Sequence, residues 1–291
     1  MSEPIALSLP DGRRLDLYVA GAEGGMPLVF HHGSPFSGID FPPLISLLAE
    51  RGMRFVGYNR AGYGSSTRRL GRSVADIAED VRAILDHLGA DEAYTYGWSG
   101  GGPHAIATGA LLPDRIRGVA TIGGVAPWPA DGIDWFEGMG PENVEEFHAT
   151  LADPENSVRS AERDWPKWRA VTGAEVAAMY GGLIDHVDDG ALTGDFAEYV
   201  AAATREGLRE SYWGWVDDDY AFMKPWGFDL GSLTVPVHIW QGGHDRMVPF
   251  GHGQWLASHI PSARPHLLPE EGHLSLAVTQ LRQILDALIA G

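Results

Sequence analysis

Gly97-Trp98-Ser99-Gly100-Gly101 sets a serine among glycines, after an alternating β-prone run and before a helix-compatible one. A serine on a sharp strand-to-helix turn presents its hydroxyl for nucleophilic attack. Backbones crowd there, so the neighbours must be small, as Gly97, Gly100 and Gly101 are. A hydroxyl is a poor nucleophile until a base takes its proton, and the base needs a carboxylate to hold its tautomer. Two later loops offer those groups. Asp245 lies within Gln241-Gly242-Gly243-His244-Asp245-Arg246, and His273 within Glu270-Glu271-Gly272-His273-Leu274. Either would be an ordinary loop residue alone; together, each after an expected strand, they point to acyl transfer.

The elements that must carry these loops are visible in the apolar periodicity. Ile5–Leu9 and Arg14–Ala20 alternate around the turn Pro10-Asp11-Gly12, which predicts an opening hairpin. Pro27–His31 and Phe55–Tyr58 read as short strands, and Leu44–Arg51 as a short helix closed by Gly52. From Ser73 to Leu88, Val74, Ile77, Ala78, Val81, Ile84, Leu85 and Leu88 form one helical stripe, with Ser73 as N-cap and Gly89 as stop. The strand before Ser99, a helix over 101–112 and the strand Gly118–Ile122 follow. Later come a strand over Val235–Trp240, a helix over Gln254–Ile260, a strand over His266–Leu268 and a last helix over Ser275–Ile289. Strands alternating with helices predict an α/β fold with a mostly parallel sheet and reactive loops at the strands' carboxyl ends.

Between Val125 and Trp226 the alternation stops. Residues 125–226 carry 21 of the 39 acidic residues, 7 of the 21 basic ones and seven of the ten tryptophans, so this segment differs in kind from its flanks. Stretches such as Ala174–Gly181 and Phe196–Gly207 suggest helices, and because strands resume afterwards the segment reads as an insertion. The expected organisation is a core of residues 1–124 and 227–291 with a helical cap of residues 125–226.

The order Ser99, Asp245, His273 on these loops resembles the α/β-hydrolase fold with a helical cap, in the branch of small esterases, epoxide hydrolases and proline iminopeptidase-like enzymes. The resemblance runs over nearly the whole chain and is loosest in the cap. It implies a cap inserted after the sixth strand and an oxyanion hole built from the backbone N–H groups of Ser34 and Gly100. Ser34 would then act through its backbone, its side chain mattering little, and Pro35 would be a candidate cis proline. The serine separates branches of the family. Epoxide hydrolases and haloalkane dehalogenases place an aspartate there, and a serine that opened an epoxide would be left as a stable ether. Ser99 therefore implies esters, thioesters, lactones, amides or activated C–C bonds, with a small apolar or aromatic carboxylic ester as first expectation. A peptidase is the alternative, its acidic cap (Glu142, Glu145, Glu146, Asp217-Asp218-Asp219) holding a substrate amine. His32-Gly33-Ser34-Pro35 departs from the His-Gly-Gly-Pro-Gly of those peptidases. A binding protein of the same fold is a third reading, against which all three triad groups stand.

The cap tryptophans Trp128, Trp135, Trp165, Trp168, Trp213, Trp215 and Trp226 could supply an aromatic substrate wall, with Trp98, Trp128, Trp135, Trp213 and Trp215 as the first candidates, the alternative for each cap tryptophan being that it glues short helices together. His31 and His32 are expected to shape the oxyanion loop, His104 to be structural, and His244 and His252 to flank the site. Asp229 precedes its strand and is a poorer acid than Asp245. No His, Asp or Glu grouping has metal-ligand spacing, and Gly62-Tyr63-Gly64 is a tight turn with no dinucleotide motif. No metal and no cofactor are expected. A net charge of −18 argues against nucleic acid. Met1-Ser2-Glu3-Pro4 opens no signal sequence, and no run is long enough to span a bilayer, so a soluble, cytoplasmic protein acting on a small molecule is expected.

Overall fold

A computed structural model describes residues 3–291; the expectation resting on Met1 and Ser2 lies outside them. Eight strands form one sheet: β1 (Ile5–Ser8), β2 (Arg14–Gly21), β3 (Pro27–His31), β4 (Arg54–Tyr58), β5 (Ala93–Trp98), β6 (Ile116–Ile122), β7 (Val237–Gly242) and β8 (Ala263–Leu268). Their spatial order is β1-β2-β4-β3-β5-β6-β7-β8. The first two pairings, β1 with β2 and β2 with β4, are antiparallel, and every later one is parallel. Sequence dictates this division. The hairpin turn Pro10-Asp11-Gly12 joins antiparallel neighbours directly, whereas parallel strands need crossovers long enough to hold a helix. β3 and β7 are buried along their whole length, and β5 at every residue but the half-buried Tyr94, as strands covered by helices on both faces must be.

The covering helices are α1 (Pro42–Ala49), α2 (Ile77–His87), α3 (Gly101–Leu111) and, after the insertion, α10 (Phe250–His259), α11 (His273–Thr279) and α12 (Leu281–Ala290). α2 starts three residues later than its apolar stripe suggests. Ser73 donates from both its backbone N–H and its hydroxyl to Asp76 Oδ2, which closes a turn ahead of the helix. The expected final helix is two helices, α11 and α12, broken at Gln280.

After β6 the chain leaves the sheet for a helical insertion: α4 (Pro141–Ala152), α5 (Glu155–Trp168), α6 (Val176–Tyr180), α7 (His186–Ala191), α8 (Gly194–Gly207) and α9 (Trp213–Phe222). α5 and α9 share a small apolar cluster of Ala161, Leu208, Trp215 and Val216, separate from the main core. The rest of the insertion joins the main core through residues such as Trp135, Phe147, Phe196, Val200 and Phe222. Among the described residues no helix is long and apolar enough to cross a membrane.

Candidate active site

Ser99 stands between β5 and α3 with φ at +56°, a conformation few residues other than glycine adopt. Its backbone N–H donates to Ile122 O (2.8 Å) and its carbonyl accepts from Gly102 N (2.8 Å), so the turn is pinned on both sides. The next residue, Gly100, cannot carry a side chain, because a Cβ there would lie 2.8 Å from Ser34 Oγ and 3.2 Å from Ser34 Cβ. The two loops that the sequence nominates for an oxyanion hole are thus in direct contact. Ser34 and Gly100 line one cavity with Ser99, and the Ser34–Pro35 peptide is cis.

His273 and Asp245 meet from two other strand ends. His273 Nδ1 donates to Asp245 Oδ2 at 2.7 Å, with both side chains buried. The acid is itself held on all sides. Its Oδ1 accepts from Met247 N (2.9 Å) and Val248 N (2.7 Å), and its Oδ2 accepts a second bond from Gln241 Nε2 (3.0 Å). Burial would lower the His273 pKa, but Asp245 and, more weakly, Asp188 raise it above its ordinary value. Gly123, at φ +55°, leaves the room this pair occupies: a Cβ there would lie 2.7 Å from His273 Nδ1 and 3.0 Å from Asp245 Oδ2. Trp98, the residue before the serine, stacks its ring on His273 with centroids 6.0 Å apart.

Two carboxylates from the insertion hold these parts, and sequence reading missed the role of both. Asp188, on α7, accepts the backbone N–H groups of His273 (2.9 Å), Leu274 (2.8 Å) and Ser275 (2.9 Å). It therefore anchors the first turn of α11, the turn that aims His273. Asp218, on α9, is fully buried and pairs with Arg60 Nη2 (2.6 Å) and Arg72 Nη2 (2.7 Å). Burial alone would raise the Asp218 pKa, but the two guanidiniums hold it well below the ordinary carboxylate range. Tyr63 donates its hydroxyl to the same carboxylate (2.7 Å), and so does Ser34. The Ser34 side chain is therefore engaged, contrary to the expectation that it would matter little. Arg60 also donates to the carbonyl oxygens of His32 and Gly33, so the whole His32–Ser34 loop rests on one ion-pair cluster.

Breaking such a cluster leaves buried charge without a partner, at a cost of about 3–5 kcal/mol. Asp218→Asn is expected to lower the melting temperature by several degrees and to reduce turnover as well, because Ser34 loses its anchor. Thermal unfolding and ester kinetics on the same preparation test this; a variant as stable and as active as the parent would refute it.

The cavity above Ser99 has a volume of about 450 Å³. Phe147, Trp168, Met179, Leu183, Trp215 and Phe222 give it an apolar and aromatic wall. Of the nominated tryptophans Trp168 and Trp215 line it. Trp98 lies beneath His273, Trp128 and Trp135 pack with Phe136, and Trp213 lies under the Arg68 guanidinium, 3.7 Å from its centroid. Three consecutive aspartates on α9 do three different things. Asp217 binds Arg68 (2.8 Å), Asp218 binds Ser34 and Arg60, and Asp219 reaches the cavity, where it hydrogen-bonds Glu146 of α4. Burial, with the charge of Asp164 adding to it, raises the Glu146 pKa to about 7, and burial together with the charge and hydrogen bond of Glu146 raises Asp219 well above the ordinary carboxylate range, so the pair holds a proton more tightly than free carboxylates do.

His31, His32, His104 and His252 are each held by hydrogen bonds. His32 Nε2 accepts from Arg60 N (3.1 Å), and His104, its Nδ1 donating to Gly100 O (2.9 Å), is driven down to about 3 by burial and by Arg60. His252 accepts from Ala126 N (3.0 Å) and donates to Trp135 O (2.8 Å). His31 bonds Tyr58 (2.8 Å), and Asp229 caps the turn at Gly231 (2.8 Å).

Known proteins resemble this chain in sequence and in fold. The chain is 36% identical over 276 residues to the AB hydrolase superfamily protein YisY of Bacillus subtilis (strain 168), covering 94% of each chain. It is 27% identical over 281 residues to the dihydrolipoyllysine-residue acetyltransferase component of the acetoin cleaving system of Pseudomonas putida, spanning 90% of this chain but 62% of that longer protein. The solved structure of a bromoperoxidase from Bacillus anthracis superposes over 99% of both chains with a TM-score of 0.73 at 23% identity, a likeness of fold. The family model for the alpha/beta hydrolase fold matches residues 26–278, so from the loop before β3 to α11 this chain belongs to the α/β-hydrolase family.

Proposed function

We propose that the protein is a serine hydrolase that cleaves small apolar or aromatic carboxylic esters, with residues 125–226 as its cap. The observation that carries this reading is the 2.7 Å bond between His273 and Asp245, with His273 stacked on Trp98, the neighbour of a serine that is held at positive φ and lines a cavity with an aromatic wall. Ser99 Oγ attacks the ester carbonyl while His273 takes its proton, and Asp245 fixes the imidazole tautomer. The tetrahedral oxyanion sits between the N–H groups of Ser34 and Gly100. As the C–O bond breaks, His273 returns the proton to the leaving alcohol, and water then frees the acyl group by the same route. A burst of chromogenic alcohol equal to the enzyme concentration, followed by slower steady release, tests the acyl-enzyme; release without any serine-dependent burst or turnover on short and medium acyl esters would refute it.

One observation favours a second reading, in which the substrate carries an amine. Carboxyls are seldom buried without a cationic partner, yet the Glu146–Asp219 pair faces the cavity with no ion pair to either carboxyl among the described residues, Arg163 and Lys167 lining the same cavity. The pair is suited to receive a hydrogen-bond donor or a cation. Asp219→Asn separates the readings. If esters of neutral acids are the substrates, kcat/KM on them should stay within a few-fold of the parent. If amine-bearing substrates are preferred, the variant should lose about 10-fold or more on an alanine or proline arylamide, a loss in the range of one charge-assisted hydrogen bond. The apolar lining makes the neutral ester the better-supported substrate.

A further inference from the structure

The seam between the insertion and the Asp245 loop holds a cluster that the hydrolase chemistry does not use. Asp185 and His186 stand at the start of α7, and His244 lies next to the acid in the loop after β7. Asp185 Oδ2 is 2.7 Å from His244 Nδ1 and 3.6 Å from His186 Nδ1. One ligand atom from each of the three residues lies within 4.8 Å of the other two. The imidazole rings meet edge to face, with centroids 5.4 Å apart. The cleft at this seam is lined by Asp134, Glu137, Asp185 and Asp245 against a single arginine, Arg246, so its field attracts cations.

We propose that Asp185, His186 and His244 form a site for a divalent transition-metal ion of zinc-like chemistry, which clasps the insertion to the loop carrying the catalytic acid. Two imidazole nitrogens and one carboxylate oxygen suit zinc far better than calcium or magnesium, which want oxygen. A tetrahedral zinc with bonds near 2.0–2.1 Å sets its ligand atoms about 3.3–3.4 Å apart. The two pairs already stand at 2.7 and 3.6 Å, and His186, the outlying member, is 81% exposed and free to swing inward. His244 now donates from Nδ1 to Asp185; on binding metal the neutral ring carries its proton on Nε2 instead, leaving Nδ1 as ligand. Water takes the fourth position.

The position gives the ion a mechanical task. One turn along α7, Asp188 already holds the backbone of His273, Leu274 and Ser275. A metal at Asp185 ties the same helix to the residue before Asp245, so the helix is fixed to both partners of the His273–Asp245 bond. A hydrogen bond between His244 and Asp185 alone would also join the seam, but it has no use for His186. That difference supplies the test.

Untagged full-length protein stripped with EDTA is titrated with zinc chloride, read by calorimetry and by thermal unfolding, alongside His186→Ala and His244→Ala. The parent should bind one equivalent and gain roughly 5 °C in Tm at about 100 times Kd. His186→Ala should unfold within about 1 °C of the metal-free parent, as surface substitutions do, keep its ester turnover, and bind zinc at least ~10-fold more weakly. His244→Ala should also lose the zinc-dependent rise. No saturable rise in the parent, or the same rise in His186→Ala because the ion sits elsewhere, would overturn the proposal.

Discussion

Ser99→Ala is expected to fold normally and to lose roughly a hundred thousand- to a million-fold in kcat, with KM little changed. The substitution exchanges a hydroxyl for a hydrogen at a residue whose backbone N–H and carbonyl stay bonded to Ile122 and Gly102. Alanine bears the same cost as serine at φ +56°, so the turn has no new reason to move. What disappears is the atom that makes the acyl-enzyme. The oxyanion donors and the cavity remain, which is why a residue of catalysis over water is expected to persist. An organophosphorus reagent should label the parent at Ser99, with the mass gain on the peptide that contains it, and leave the variant unlabelled. Near-normal turnover by the alanine variant would end the serine-hydrolase reading, whatever the fold.

How far the sequence disclosed this site depended on how local each signal was. The elbow is written in a few residues, because a turn that tight needs small neighbours in sequence, and Gly97, Gly100 and Gly101 stand in the chain itself. The alternation of strand and helix is nearly as local, so the core's order could be read off, including the crossing from β5 through α3 to β6. Boundaries were less legible. The run Ser275–Ile289 keeps apolar spacing through Gln280 although the helix breaks there, since spacing reports a face and not a bend. In the insertion, α5 carries Val158, Ala161, Trp165 and Trp168 at helical intervals, but Pro166 and a dense set of charges hid the pattern. The carboxylates were the least legible. Asp188 serves a backbone 85 residues away and Asp218 an arginine 158 residues away, and nothing in Asp217-Asp218-Asp219 tells its three members apart. Acidic runs are ordinarily solvated, yet Asp188, Asp217, Asp218 and Asp219 are all buried. The same holds at the seam, where Asp185 and His186 come to His244 only through the fold.

Asp245→Asn should reduce kcat by about ten thousand-fold while the protein stays folded and binds substrate. The amide keeps its oxygen where Oδ1 now accepts from Met247 N and Val248 N, so the loop retains its shape. Its nitrogen then replaces Oδ2, the atom that accepts from both His273 Nδ1 and Gln241 Nε2. Donors would face donors. His273 escapes by moving its proton to Nε2, and that tautomer has no lone pair to take the proton of Ser99. Gln241 cannot simply turn its amide around, because its Nε2 also donates to Val248 O (2.6 Å). The loss of charge has a second consequence, in the pH profile. Asp245 is the stronger of the two carboxylates that raise the His273 pKa above 6.5 against the pull of burial. The base works only when neutral, so in the parent kcat/KM should fall as pH drops through that raised value. In the variant the acidic limb should move to lower pH, since burial then outweighs the remaining attraction of Asp188. Residual turnover measured from pH 5 to 9 checks the shift, and an acidic limb that stays in place when Asp245 is neutralised would mean that a different group is the base.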